Sequence, residues 1–501
     1  MKYIFLFLIV FTIGAAAVEP RTQSGGAIPR EIHIRIIQLE DERNLNGDEL
    51  ISLLKHQTPA VRSRAALAIG RIGDRRGTDA LIELFNQDRD ADVRAMAAFA
   101  LGEMEDAKAL SALRGAISPS LAPPHKRDEP PLVRARVCEA LGKILSAGRS
   151  AKTPDLSLAV DADTIAKQLP DPQSSLTADE KLLAGLAITA LMRLQASVSV
   201  EPLTRQLKAT DAEIRAQAAN ALARLRQPIE SAVPALIEAL NDADADVRAN
   251  AARALGASKD ARAVEPLIKL LGDESDRVQV SAVRALAALN DKRAAEPLAA
   301  LGEKLLAPRG PDSGARRGTA LPLGALLEIA AALGAIKDER ALPFLRRARR
   351  IGDAEIEVAL ARFGEKEFFA DLNGDLPQGI ENNWRRATAF AQGVAEVGTP
   401  RAREVILKLL DPSFLDSLSA QALPGILRAA SKLKVEGLAP ILRERLSHPD
   451  VIVRSTAASL LADSPEDKNL AALIGALAQA KNDPANDARL AILTAVSKHK
   501  K

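Results

Sequence analysis

VRSRAALAIG, at Val61–Gly70, is a ten-residue segment that returns along the chain with small changes. Where nothing is inserted, neighbouring copies keep a nearly constant spacing, with starts at positions 61 and 93, 214 and 247, and 247 and 278. A period of this size is typical of two-helix repeats, and such repetition predicts a solenoid. The further copies are Val93–Gly102, Val133–Gly142, Ile214–Ala223, Val247–Gly256, Val278–Ala287 and Val453–Ala462.

Each copy predicts a first helix, because its apolar residues stand at positions 0, 4, 5, 7 and 8, on one helical face. Alanine at position 5, as in Ala66 and Ala98, indicates close approach to a neighbouring helix. A second helix follows, and a proline marks its start. Proline fits a first helical turn because the N–H that it lacks would have no partner there. These prolines are Pro202, Pro234, Pro266, Pro297, Pro343 and Pro440.

Composition agrees with Ala-rich helical layers. Apolar residues make up 47% of the 501 residues but aromatic residues only 3%, so Ala, Leu, Val and Ile supply the apolar mass. The formal charge of +3 is too small to indicate a nucleic-acid partner. The single cysteine, Cys138, excludes an intramolecular disulfide.

The segment 1–18 is typical of a signal peptide. Lys2 precedes an apolar run from Ile4 to Ile13, and Ala15–Ala17 is a small-residue cleavage pattern. An uncleaved anchor is the alternative, but the run is shorter than the roughly 20 residues of a membrane span. We therefore expect cleavage near Ala17 and a periplasmic or extracellular protein with no membrane span.

The repeats resemble the HEAT-like repeat of the phycobilin-lyase type, on the strength of Asp92-Val93-Arg94, Asp246-Val247-Arg248 and the closing glycine. The resemblance extends over residues 28–498 and is clearest over 58–300. It implies that Asp and Arg of successive repeats pair along the stack, with a break at Gln279. As exposed pairs they would each contribute about 1 kcal/mol or less. The matching arginines are Arg62, Arg94, Arg134, Arg215, Arg248 and Arg454.

We accordingly predict an all-α chain, a right-handed α-solenoid of about thirteen HEAT-type helix pairs. A capping pair occupies residues 28–57 and regular repeats 58–307, with insertions at 118–131 and 146–179. The second insertion contains a predicted short helix at Ala162–Leu169. Residues 308–321 form a loop, and divergent repeats fill 322–498. The insertions are either binding loops or surface variation.

No catalytic, cofactor or metal site is predicted. HEAT-type deoxyhypusine hydroxylase looks similar in plan and binds iron through His-Glu pairs, but none of the five histidines here precedes a Glu. Asp371–Asp375 lacks the ligand spacing of a calcium loop and is interpreted as a turn. Cys138 is interpreted as a small buried residue, with a reactive thiol as the alternative.

Basic residues gather on the C-terminal second helices, which we expect on a concave face. A basic stripe could bind an acidic peptide, an anionic glycan or a lipid headgroup with steep salt dependence; the alternative is a solvated face offset by nearby acids. Its residues are Arg316, Arg317, Arg346, Arg347, Arg349, Arg350, Arg401, Arg403 and Arg443, with Arg340, Lys408 and Arg445 alongside.

Three functions remain open. The first is a monomeric, non-catalytic envelope scaffold that binds a protein or peptide on its concave face or its loops. The second follows from a resemblance to the HEAT array that precedes a cyclophilin-type prolyl isomerase domain in exported bacterial proteins. That interpretation makes this chain the substrate-holding half of a folding factor. The third, a bilin lyase-like enzyme, ranks lowest because no residues match a chromophore site.

Overall fold

The computed structural model describes residues 26–499 apart from 44, 46–47, 119–127, 151–157, 196–199, 308–320, 352, 366–375, 377–379, 381–383, 399, 465 and 480–485. Every regular element in these ranges is a helix, so the chain is an α-solenoid as the repeats predicted. The contacts divide it into two compact units, residues 1–232 and 233–501. The predicted signal peptide and most of the 118–131 and 308–321 segments lie outside the described residues.

The first unit alternates first and second helices. The first helices have odd numbers and the second helices even numbers. They are α1 (Arg30–Asp41), α2 (Glu49–Leu53), α3 (Pro59–Ile72), α4 (Thr78–Gln87), α5 (Ala91–Met104), α6 (Leu110–Ile117), α7 (Pro131–Ser150), α8 (Leu158–Ala166), α9 (Ala178–Leu194), α10 (Val200–Gln206) and α11 (Ala212–Arg224).

The second unit begins with a second helix and alternates in the same way as far as its eighth helix. Its ninth helix packs against the eighth as a further first helix, so that from there odd and even numbers no longer separate first from second helices. Its helices are α12 (Val233–Ala239), α13 (Ala245–Ser258), α14 (Val264–Lys269), α15 (Asp276–Leu289), α16 (Ala295–Leu306), α17 (Leu321–Ile336), α18 (Leu342–Ala348), α19 (Ala354–Arg362), α20 (Trp384–Val397), α21 (Pro400–Leu409), α22 (Pro412–Ser417), α23 (Leu423–Lys432), α24 (Leu438–Arg445), α25 (Val451–Leu461), α26 (Asp467–Gln479) and α27 (Asn486–His499).

None of the helices in the described ranges is both long and apolar enough to cross a membrane. The six prolines that mark second helices all lie within the first helical turn, at the second or third residue. The sequence prediction of helix starts is therefore correct at these positions, and none of the prolines kinks a helix.

The turn within a helix pair has a local design that the sequence analysis missed. Asp260 accepts a hydrogen bond from the backbone N–H of Arg262 at 2.9 Å, and the Arg262 side chain closes onto the same carboxylate. Asp338 and Arg340 repeat this arrangement, and the side-chain and backbone hydrogen bonds from Arg340 lower the pKa of Asp338 to about 2. The pattern Asp-x-Arg therefore begins a short 3-10 turn that leads into the second helix.

Two predicted boundaries are wrong. The short helix in the 146–179 insertion is α8, which covers Leu158–Ala166 rather than 162–169. It packs against α6, α7 and α9 as a second helix does, and Arg114 of α6 donates two hydrogen bonds to its buried Asp161, at 2.7 and 2.6 Å. The helix in this supposed insertion is thus a repeat element. Leu321, assigned to a loop, begins α17.

The closest packing lies between first helices. A Cβ added at Gly70 would lie 2.7 Å from Ala100 Cα, and one at Gly256 would lie 2.7 Å from Ala285 Cα. Second helices approach one another less closely in both units.

A candidate binding groove on the first-helix layer

A groove of about 340 Å³ lies on the first helices of the second unit. Each of the three helices α17, α19 and α20 contributes four residues, spaced so that they share one helical face. Its lining is Gly324, Leu327, Glu328, Ala331, Glu355, Val358, Ala359, Arg362, Trp384, Thr388, Ala389 and Gln392.

The groove exists because α19 lacks the first helical turn that other closely packed first helices, such as α5, have. Gly334 faces Ala359 as Gly70 faces Ala100, since a Cβ at Gly334 would lie 2.9 Å from Ala359 Cα. Helix α5 begins at Ala91, nine positions before Ala100, whereas α19 begins at Ala354, five positions before Ala359. The difference corresponds to about one helical turn, roughly 6 Å. The starts of α17 and α20 therefore flank a space that none of the described residues fills.

The sequence contains a signal for this gap that was not recognised. Pro266 of the second helix α14 and the next closely packed alanine, Ala285, lie 19 positions apart. Pro343 and the closely packed Ala359 lie only 16 positions apart. The connection from α18 to α19 can therefore be recognised as short once it is known which alanine of α19 makes the close contact. The packing of Gly334 against Ala359 identifies that alanine.

Trp384 stands at one wall of the groove, at the start of α20. It is the only tryptophan of the chain and its side chain is 40% exposed. Leu327 and Val358 supply buried apolar surface nearby. Thr388 Oγ1 is buried and has no hydrogen-bond partner in the described part of the chain. Trp is enriched among residues that dominate binding energy, so this wall is suited to an apolar side chain.

The charges around the groove nearly cancel. Glu328 forms an ion pair with Arg284, and Glu355 and Arg362 line the groove with opposite signs. An occupant would therefore meet a surface that is about half polar and half apolar, with charges of both signs.

The predicted basic stripe lies in the other layer and is extensively paired. Arg346 of α18 lies 2.7 Å from Glu365, Arg347 pairs with Glu303, and Arg349 lies 3.0 Å from Glu357. These carboxylates favour the alternative of a solvated face offset by acids. Of the remaining members, Arg350 donates to the Leu306 carbonyl at 3.4 Å, Arg443 donates to Asn469 at 2.6 Å, and Arg403 is exposed. Arg316, Arg317 and the Arg401 side chain lie outside the described residues.

The repeated arginines join successive repeats. Arg62 donates to Asp88 at 2.6 and 2.9 Å and to the carbonyls six and five residues before it. Arg94 and Arg248 bind Glu129 and Asp273 in the same way. Arg215 and Arg454 donate to the same two preceding carbonyls, and Arg134 approaches Gln168 at 3.4 Å. Gln279 keeps a carbonyl bond, at 2.7 Å to Asp273, although it lacks the charge.

The expectation of exposed pairs is wrong for Arg94 and Glu129. Their side chains are only 4% and 2% exposed. Removing one partner of a buried pair leaves an uncompensated charge, which costs more than the loss of a surface pair.

Among the described residues, no group of three or more His, Cys, Asp and Glu side chains is placed to hold a metal ion. Cys138 is buried, and burial raises the pKa of its thiol to about 12. The thiol therefore stays protonated at neutral pH, which is unfavourable for nucleophilic attack.

Two family models match the sequence. The one described as HEAT repeats matches residues 47–123 and 233–304, and the one described as PBS lyase HEAT-like repeat matches residues 214–242 and 325–349. No curated protein matches the chain.

Solved structures resemble the chain in fold. Kap121p is 14% identical over 94% of this chain and 64% of its own, with a TM-score of 0.46. The CpcE–CpcF complex of phycocyanin lyase from Nostoc sp. PCC7120 is 22% identical over 60% of this chain and 95% of its own, with a TM-score of 0.28. Human deoxyhypusine hydroxylase is 20% identical over 54% of this chain and 92% of its own, with a TM-score of 0.23. The repeat sequences, their helix pairs and the matching family models together identify the chain as a HEAT-repeat protein of the PBS lyase HEAT-like type.

Proposed function

We propose that this chain is an exported, non-catalytic scaffold that holds a partner protein at the groove formed by α17, α19 and α20. The observation that carries the proposal is the one-turn gap beside Trp384. Its volume lies at the lower end of the range of about 300–1,000 Å³ that is usual for ligand pockets. Packed helices surround it with small, apolar and polar side chains, which suits a partner surface that combines apolar and hydrogen-bonding groups.

A matched pair of variants tests the groove. Ala331→Phe places a ring in the groove from an exposed position of α17. Ser459→Phe makes a comparable change at an exposed position of the first helix α25, away from the groove. The mature wild type and both variants would be immobilised and exposed to an envelope extract, and the captured proteins would be identified by mass spectrometry.

We expect at least one protein to be captured by the wild type and by Ser459→Phe, and to be reduced at least tenfold with Ala331→Phe. Circular dichroism should show equal helicity in all three. Equal capture by all three would contradict the groove as the binding site. Absence of any captured protein would contradict the scaffold function itself.

Export rests on the sequence of segment 1–18. We expect the chain purified from its own host to begin directly after Ala17, since the small residues there fit a signal-peptidase site. The intact mass and the N-terminal peptide would measure this. A full-length chain that retains Lys2 and fractionates with the cytoplasm would contradict export.

A further inference from the structure

We propose that Arg134, in the first turn of α7, binds an acidic side chain of the partner protein. This inference rests on the proposed scaffold function and adds a second contact, which lies in the first unit and does not involve the groove. Arg134 belongs to the series of repeated arginines, but among the described residues it lacks the carboxylate partner that Arg62, Arg94 and Arg248 have.

Arg62 shows what an arginine at this repeat position ordinarily binds. Its Nε and Nη2 donate to the two carboxylate oxygens of Asp88, at 2.6 and 2.9 Å. Its Nη1 donates to the backbone carbonyls of His56 and Gln57. A guanidinium is a planar fork of N–H donors that matches a carboxylate, and here each of its three nitrogens has an acceptor.

Arg134 has almost none of these partners. Its Nη1 lies 3.4 Å from Oε1 of Gln168, just after α8, which is longer than the usual range of about 2.7–3.2 Å. Its Nε is buried and has no hydrogen-bond partner in the described part of the chain. The amide of Gln168 also has no charge to offset the guanidinium. An acidic group supplied from outside would therefore add both hydrogen bonds and an ion pair.

Two acidic residues near Arg134 are engaged by other groups. Glu129 accepts hydrogen bonds from Arg94 at 3.0 and 2.8 Å. Glu180 accepts from the backbone N–H and the hydroxyl of Thr177, both at 2.8 Å. These bonds, with a smaller contribution from the charge of Arg134, lower the pKa of Glu180. Both carboxylates are thus already used where they lie.

The start of α7 adds positive potential next to Arg134. Asp90 and Asp244 cap α5 and α13 by accepting backbone N–H hydrogen bonds, whereas Pro130 holds the corresponding place before α7. The first turn of α7 contains no acidic residue. Asp128, two positions earlier, is exposed, so water screens its charge. The partial positive charge of the helix start therefore favours an anion at the same place as the guanidinium does.

The site lies at the surface of the first unit, because Arg134 and Gln168 are both half-buried. Acetate is the simplest probe of it, and hydrogen exchange followed by mass spectrometry is the readout. The mature full-length chain would be compared in about 200 mM acetate and the same concentration of chloride, since a ligand of the folded state slows the opening of the segment that it binds.

Three variants define the site. Arg134→Gln removes the guanidinium. Gln168→Glu keeps the arginine and supplies a carboxylate from within the chain. Asp88→Gln is the matched control, because it reproduces beside Arg62 the arrangement that Arg134 has naturally.

We expect acetate to slow exchange in α7 and α8 of the wild type by about threefold or more. Arg134→Gln and Gln168→Glu should both lose this response, the second because its own carboxylate occupies the guanidinium. Asp88→Gln should keep it and gain a further acetate response in α3 and α4. No response of the wild type in α7 and α8, or a response that survives in Gln168→Glu, would overturn the inference.

A pair of short peptides tests whether the carboxylate can come from a protein side chain. Both have blocked ends and an Ala framework, and they differ only in one central Glu or Gln. The Glu peptide should reproduce the acetate response, and the Gln peptide should not. A response to acetate but to neither peptide, or an equal response to sulfate, would overturn the assignment to an acidic side chain. Capture from the envelope extract tests the scaffold function separately, so either proposal can fail while the other stands.

Discussion

The repeated arginines and the arginines of the turns form ion pairs that differ in their exposure to water. Five of them donate to carbonyls just before their own helix, namely Arg62, Arg94, Arg215, Arg248 and Arg454. Arg62, Arg94 and Arg248 also hold a carboxylate that precedes the next first helix. The burial of the pair differs: Arg94 and Glu129 are almost fully enclosed, while Arg76 and Asp74 in a turn are largely open to water. The energetic contribution of an ion pair therefore depends on its position in the stack.

Replacing Arg94 by Ala should destabilise the protein by about 3–5 kcal/mol, because Glu129 would remain buried and charged without a partner. Arg76→Ala, at an exposed pair, should leave the stability almost unchanged, because water already screens that pair. Urea unfolding followed by circular dichroism measures both. The double variant Arg94→Met with Glu129→Met should recover part of the loss. Equal midpoints for Arg94→Ala and Arg76→Ala would contradict the buried-pair interpretation.

His448 should make stability depend on pH. Its Nδ1 accepts a hydrogen bond from the Asp450 backbone N–H at 3.0 Å, and desolvation followed by the nearby Arg445 lowers the pKa of the ring. The folded state then resists protonation, so stability should fall as the pH drops below about 6.5, where the unfolded chain takes up the proton. At the equivalent position of another repeat, an aspartate, Asp88, accepts the corresponding hydrogen bond from the Asp90 backbone N–H.

The His448→Asn variant should keep that acceptor and remove the titration. We expect the decrease in urea midpoint between pH 7.5 and pH 5.5 to be smaller in the variant than in the wild type. The difference between the two slopes isolates His448 from the other histidines. Identical slopes would show that His448 does not contribute.

Two features decide how neighbouring first helices pack: the small residues at their contacts and the residue at which each helix begins. Glycine at the close of a first helix permits contact with the alanine of the next one, as Gly256 does with Ala285. Helix α19 uses the same contact, through Gly334 and Ala359, but starts one turn late. One shortened element is therefore enough to open a groove in an otherwise filled layer.

Gly256→Ala should lower the stability of the protein, whereas Gly475→Ala should raise it. The new methyl at residue 256 would lie 2.7 Å from Ala285 Cα, and overpacking of this kind costs about 1–3 kcal/mol. Gly475 lies on an exposed face of α26 with nothing within 4 Å of the added Cβ. Alanine there should stabilise the helix by about 0.5–1 kcal/mol. Thermal midpoints measure both, and a stabilised Gly256→Ala would contradict the packing contact.

Each repeat is stabilised by its neighbours. Among the described residues, helices pack against members of their own or an adjacent pair. The buried residues are accordingly distributed along the stack of helix pairs. Stability in such an array is roughly a sum of repeat and interface terms. A local change should therefore weaken its own neighbourhood more than distant repeats.

Hydrogen exchange in Gly256→Ala should show this directly. We expect faster exchange in α13 and α15, which share the altered contact, and nearly unchanged exchange in α25 and α27. Mass spectrometry of peptides from both segments measures it in one experiment. A uniform loss of protection through residues 233–501 would indicate one cooperative core instead of a series of interfaces.

Local patterns in the sequence are sufficient to predict the helix pairs, the proline-marked starts and the repeat family, because helical periodicity and turn residues are local properties. It also identified Arg62, Arg94 and Arg248 as a set, since they recur at one repeat position. Tertiary packing decided which pairs are buried, which layer is the closer one and where α19 leaves a gap. Those features depend on register between helices that are distant in sequence, and register follows from how Gly334 meets Ala359 across the interface. The groove beside Trp384 is thus a product of packing, although the shortened connection after Pro343 is already present in the sequence.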